Sequence, residues 1–276
     1  MADLSENGTA GDRSGLSVGG LLRREAAALV VSLGICLAAT VGLFALSQHL
    51  GAAVPASVLL SVAGGCVWVC LASAPLAAGG VDGWGALLRG GMQADGCGLG
   101  LAVVWIWANL SGPLELGFHS LLAVYGLLAA ISVGAVAAVC WFPRRLGWAV
   151  LVGLLLLALC ATPFWTGGLV EHSDGERTDA LARFVIRWNP FYGMTGALIG
   201  EVGFIWHQDA PLLYQRIAQV GPHVPPAPVT WSATFWRFVA AAAVAAVVAL
   251  GLGQYRRSRS WRAGLAGRQD LRAKGD

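Results

Sequence analysis

The sequence predicts an all-α integral membrane protein built as a six-helix transmembrane bundle, and three observations carry that prediction. The 276 residues are 57% hydrophobic and 12% charged, where a soluble domain carries about 25% charged residues. Apolar runs, most of them near the roughly 20 residues that a helix needs to cross the hydrocarbon core, are separated by short polar joints. The arginines gather on alternate joints.

Taken in order, the predicted spans are Ala26 to Ser47, Val54 to Ala78, Cys97 to Leu110, Gly117 to Trp141, Leu146 to Trp165 and Trp231 to Gln254. Apart from Arg237 near the start of the last, none holds Asp, Glu, Lys or Arg in its interior. The first ends in Ala45, Leu46 and Ser47, which looks like a signal-cleavage site. Its apolar stretch nevertheless exceeds the roughly 7–15 residues of a secretory signal core, and a polar leader precedes it, so it reads as a retained anchor. Arg23 and Arg24 lack the flanking pattern of a twin-arginine export signal. The third span is short, bounded by Asp95 on one side and by Gly112, Pro113 and Glu115 on the other. Dropping it would move Arg144 and Arg145 across the membrane, so the charge pattern keeps it.

Short loops rich in Lys and Arg stay cytoplasmic. With six spans and both termini inside, the inner side collects Arg13, Arg23, Arg24, Arg89, Arg144, Arg145, Arg256, Arg257, Arg259, Arg262, Arg268, Arg272 and Lys274. The outer side keeps Arg177, Arg183, Arg187, Arg216 and Arg237, so the division is thirteen to five. The expected layout is a cytoplasmic segment over 1–25, a transmembrane domain over 26–254 that includes an extracytoplasmic connection over 166–230, and a basic cytoplasmic tail over 255–276. The tail reads as an anchor to anionic lipid, at about 1 kcal/mol per charge near the surface. Arginine in place of lysine, with abundant alanine and glycine, suggests a GC-rich bacterial genome and hence the bacterial cytoplasmic (inner) membrane.

Cys36, Cys66, Cys70, Cys97, Cys140 and Cys160 all fall in or beside spans, scattered as packing residues rather than as a disulfide framework. Cys66 and Cys70 share a helical face, but no histidine in that span completes a metal site. No metal, cofactor or catalytic set is therefore expected. His172, His207 and His223 have no tight spacing, although Glu171 and Asp209 adjoin two of them, and they read as solvated loop residues. Nothing in the sequence matches a nucleic-acid-binding motif. Ion-driven transport is disfavoured because such coupling uses ionisable residues or broken helices at mid-membrane depth.

The connection of about 65 residues between the last two spans is long enough to need a purpose. Leu181, Phe184, Val185 and Trp188 recur at helical spacing, with Asp179, Arg183 and Arg187 on another face, and Pro190 ends that short helix. Phe191 to Trp206 is apolar except for Glu201 and is shorter than a span, the length of an interfacial or re-entrant segment. Gly193, Gly196, Gly200 and Gly203 lie along it, with Gly196 and Gly200 at close-packing spacing. Glu201 there needs a partner or water, because a carboxylate at the bilayer centre costs about 3 kcal/mol. A third short helix is expected from Pro211 to Gly221 and Pro222, with Leu213, Ile217 and Val220 as its stripe. Trp165, Trp188, Tyr192, Trp206, Tyr214, Trp231 and Trp236 suit an outer aromatic belt.

This order of parts resembles the transmembrane permease subunit of type-2 ATP-binding-cassette exporters. The local match is Arg187, Trp188, Asn189, Pro190, Phe191 and Tyr192, continuing to Ala197 and Leu198, which is similar to the asparagine-proline segment opening a re-entrant helix in that family. Pro163, Phe164 and Trp165 stand where the family has an aromatic-proline end to its fifth span. The resemblance implies an outer gate or re-entrant element at Pro163, Trp165, Asn189, Pro190, Phe191, Tyr192, Gly196, Gly200 and Glu201, and a homodimer or pseudo-dimer. It also implies a separate cytoplasmic ATPase, met by an inner coupling loop that carries Trp84, Leu87, Leu88 and Arg89. Two departures are plain: Ile199 follows the alanine-leucine pair where the family often has arginine, and Gly79 to Gly96 is glycine-rich where the family has a charged helix. The competing expectation is a non-transporting scaffold or accessory subunit with a permease-like fold. The chain has one lysine, Lys274, and so no phosphate-binding loop of the Walker type; it is not expected to hydrolyse ATP.

The predicted topology places Glu171 to Pro228 outside. In a variant without native cysteines, Asp174→Cys or Asp209→Cys should react with an impermeant maleimide applied from the outer side, and protection of both positions would exclude the six-span arrangement.

Overall fold

Hydrocarbon supplies no hydrogen bonds, so a chain this apolar closes its backbone within helices. The computed structural model describes residues 30–77, 83–111, 114–142, 145–162, 188–202 and 231–273, and among them there is no strand. The helices are α1 (Val30–His49), α2 (Val54–Ala77), α3 (Gly83–Ser111), α4 (Phe118–Cys140), α5 (Arg145–Cys160), α6 (Pro190–Val202) and α7 (Trp231–Ala273). Each predicted span has its helix. Four of them, at Val30–His49, Val54–Pro75, Phe118–Cys140 and Ser232–Arg256, are long and apolar enough to cross a membrane, and Leu146–Cys160 is a shorter apolar helix. The described residues form an all-helical bundle of the kind that a membrane-embedded protein builds.

The central helix is α4, which packs against α2, α3, α5, α6 and α7. Its buried face runs from Ser120 through Leu127, Leu128 and Ile131 to Cys140. Between α1 and α2 the chain turns at Gly51, whose φ of 81° favours glycine, and Gln48 Nε2 fastens the turn to the Ala52 carbonyl at 3.0 Å and the Ser57 hydroxyl at 2.7 Å. Between α3 and α4 the Asn109 amide pairs with the Leu116 backbone, donating to its carbonyl at 3.0 Å and accepting from its N–H at 2.8 Å. At the other end of α4, Arg256 of α7 donates to the Cys140 carbonyl at 3.3 Å and the Trp141 carbonyl at 2.7 Å. Those are carbonyls that a helix terminus leaves open.

The third helix differs most from its sequence reading. It begins at Gly83, not near Cys97, and has 29 residues, about 43 Å of rise. The glycines that suggested a loop serve instead to bring helices together. A Cβ at Gly90 would meet Val136 and the Ser132 carbonyl, one at Gly98 would overlap the Tyr125 ring, and one at Gly100 would overlap Thr40. Hydroxyls bond across the same contacts: Ser132 donates to the Gly90 carbonyl at 2.7 Å, and Ser73 lies 2.8 Å from Ser132. Where α1 meets Gly64 of α2 and Gly100 of α3, its backbone widens to one turn of π-helix, Ala38–Gly42, with Thr40 donating to the Cys36 carbonyl at 2.8 Å. Small residues permit this approach in lipid, where close packing rather than water exclusion holds helices together.

The last helix also exceeds its predicted span. Its 43 residues continue well past Gln254, so that much of the segment read as a basic tail prolongs α7. The expected short helices at 181–188 and 211–221, with Pro163, Trp165, the N-terminal segment and His172, His207 and His223, lie outside the described residues apart from Trp188.

Gly64→Leu and Gly100→Leu should each destabilise the detergent-solubilised protein by about 1–3 kcal/mol, the usual cost of overpacking. Gly91→Ala and Gly147→Ala, where a Cβ meets nothing within 4 Å, should leave its melting temperature unchanged or slightly raised. Wild-type stability in Gly64→Leu would remove close glycine packing as the basis of the α1–α2 contact.

Candidate functional site

The asparagine-proline joint sits at the heart of the bundle. Asn189 is fully buried, and its Nδ2 donates to the Cys160 carbonyl and to the Thr162 hydroxyl, each at 2.9 Å. Thr162 in turn donates to the Leu159 carbonyl at 2.8 Å. One side-chain amide thereby closes the end of α5, where backbone acceptors would otherwise lie unpaired in an apolar interior. Pro190 follows as the first residue of α6, the position at which a missing N–H costs nothing. Met194 and Leu198 are fully buried in the main core, with Phe191 against it. A Cβ at Gly193 would meet Thr234 of α7 and Leu127 of α4. α6 is thus inserted among α2, α4, α5 and α7, rather than laid on the surface.

Three thiols meet beside this joint. Cys66 and Cys70, one turn apart midway along α2, face Cys160 at the end of α5, with Sγ–Sγ distances of 3.6 Å from Cys66 and 3.8 Å from Cys70. All three sulfurs lie within 4.8 Å of one another. The shared face of Cys66 and Cys70 was readable from their spacing. The third member was not, because it lies 90 residues or more away in sequence.

A carboxylate also stands where none was expected. With α3 extended, Asp95 falls near the middle of that helix and is exposed, and Tyr125 of α4 donates a hydrogen bond to it. Exposed apolar residues, Met92, Leu99, Ile106 and Leu110, lie before and after it along the helix. The signal that could have found this pair was that no proline interrupts the sequence from Gly83 to Ser111, which leaves that run free to form one helix.

The remaining predicted site residues are placed as follows. Gly196 is partly buried on α6; the backbones of Tyr192, Gly200 and Glu201 belong to the same helix, and their burial lies outside the described residues. Trp84, Leu87, Leu88 and Arg89 occupy the first two turns of α3, with Leu87 packed against the cluster formed by Ala86, Val136 and Ala249. These residues form the first turns of α3.

A bundle with four helices long and apolar enough to cross a membrane defines the class: a multi-helix membrane protein. Comparison with protein-family models, with curated proteins and with solved structures finds no match to this chain.

Asn189→Ala should cost about 1–3 kcal/mol, the penalty for stranding a buried acceptor, and should speed amide exchange selectively in the last turn of α5. Gln254→Ala, an exposed change on α7, serves as the control. Exchange at 157–161 identical to wild type would mean that Asn189 does not hold that helix end.

Proposed function

We propose that this chain is the membrane-spanning permease subunit of an ATP-binding-cassette exporter, crossing the bacterial cytoplasmic membrane six times with both termini inside. The observation that carries the reading is the buried Asn189, which closes α5 and leads through Pro190 into a helix inserted among the spans. A short helix inside the bundle, beside the end of a truncated one, is the element such a permease needs to open and close one face. Six crossings are supported by α3, which is long enough and lies between α1 and α4. Its polar Gln93, Asp95 and Asn109 lower its hydropathy without shortening it. Energy would come from a separate cytoplasmic ATPase, since the chain has no Walker-type lysine. The largely apolar helix faces favour an apolar or amphipathic substrate.

Asp95 supports a homodimer. A carboxylate on a lipid-facing surface at mid-helix costs a few kcal/mol, and the α3 faces of two copies, packed together, would remove it from lipid. A specific observation favours a second reading, that of a non-transporting scaffold or accessory subunit. α2 ends at Ala77 and α3 begins at Gly83, so the inner connection is too short for an independent coupling helix.

One preparation separates the two. Purified from native membranes in mild detergent, the permease should bring down an ATPase in equal copy number, with two copies of each, and the complex should hydrolyse ATP faster than the isolated ATPase. The chain stripped of its partner should show no turnover. Recovery as a single copy without an ATPase, or with one whose turnover the chain leaves unchanged, would overturn the exporter reading and leave the scaffold.

A further inference from the structure

We propose that Cys66, Cys70 and Cys160 form a binding site for a monovalent soft metal ion, Cu(I), within the membrane bundle. A metal–sulfur bond of about 2.3 Å puts the sulfurs of a trigonal site about 4 Å apart. The two distances to Cys160, 3.6 and 3.8 Å, and the overall limit of 4.8 Å already lie close to that triangle, so binding requires only small adjustments of side-chain torsions. Cys66 and Cys70 come from the interior of one helix, and Cys160 is the last residue of another, fixed through the Asn189 bond to its carbonyl. The ligand set is held by rigid elements before any metal arrives.

Ligand softness and ligand number select the ion. Sulfur-only donors favour Cu(I) over the harder divalent ions. Structural zinc takes four ligands, and among the described residues no histidine or carboxylate joins the three sulfurs. Of the two helices that supply the sulfurs, α2 has no charged residue and the one in α5, Arg145, stands at its far end. The metal ligand is the thiolate, so three thiols and Cu⁺ give the three-sulfur complex and three released protons, with no change of oxidation state. The bound ion would join the middle of α2 to the end of α5 and, through Asn189, to the start of α6. This inference is independent of the exporter reading.

The test uses the full chain in detergent, reduced and anaerobic, titrated with Cu(I) against a competing Cu(I) chelator. Wild type should take one Cu(I) per chain, with X-ray absorption showing three sulfur neighbours at about 2.3 Å. Cys66→Ser, Cys70→Ser and Cys160→Ser should each weaken binding by at least about 100-fold, a loss at the upper limit of that caused by removing even an outer-shell partner. The triple variant Cys36→Ser/Cys97→Ser/Cys140→Ser should bind as wild type does. No binding by wild type, fewer than three sulfur neighbours, or loss of binding in the triple variant while it remains folded would overturn the proposal. The wild-type absorption measurement decides the matter even where single variants fail to fold.

Discussion

Inside a bilayer no water is available to accept or donate a hydrogen bond, and every backbone group must be satisfied by the protein itself. Most of this structure follows from that constraint. Helices satisfy it along their length, and their ends do not, so the informative side chains gather at ends. Asn109 serves the joint between α3 and α4, Arg256 the end of α4, and Asn189 the end of α5. The first two lie at the margins of the bundle. Asn189 alone of the three does this work among core residues, and its burial makes the joint a fixed feature of the bundle.

A second consequence concerns how the helices attract one another. Lipid removes the usual hydrophobic drive, since a leucine gains little by exchanging lipid for protein. Contact distance decides the packing instead. Gly64, Gly90 and Gly100 lower that distance until backbone and hydroxyl groups meet, and α1 widens by one π turn at the tightest point. Such turns recur at functional sites, and this one adjoins α3, the helix that carries Asp95. Two polar features of the bundle, the Asp95–Tyr125 pair and the three thiols, both sit where small residues hold helices close, Gly98 against Tyr125 and Gly153 against the Cys70 carbonyl.

The helices themselves were legible in the sequence because hydropathy acts locally: a run such as Phe118 to Cys140 is apolar whatever surrounds it. The start of α6 was legible for a similar reason, since proline after asparagine restricts the backbone by its own geometry. The start of α3 was not. Glycine weakens a helix in isolation, and its use in helix–helix contact at Gly90 and Gly98 is visible only once Val136 and Tyr125 are in place.

Sequence by itself therefore determined the class of protein, the helical runs and the asymmetry of basic charge, all properties of residues and their near neighbours in the chain. Tertiary structure alone decided what Asn189 closes, which helix face carries Asp95, and that Cys160 joins Cys66 and Cys70. Each of these joins groups remote in sequence, and a hydrogen bond or a set of metal ligands is fixed by distances of a few ångströms. Hydropathy carries no information about which helix becomes the neighbour of which.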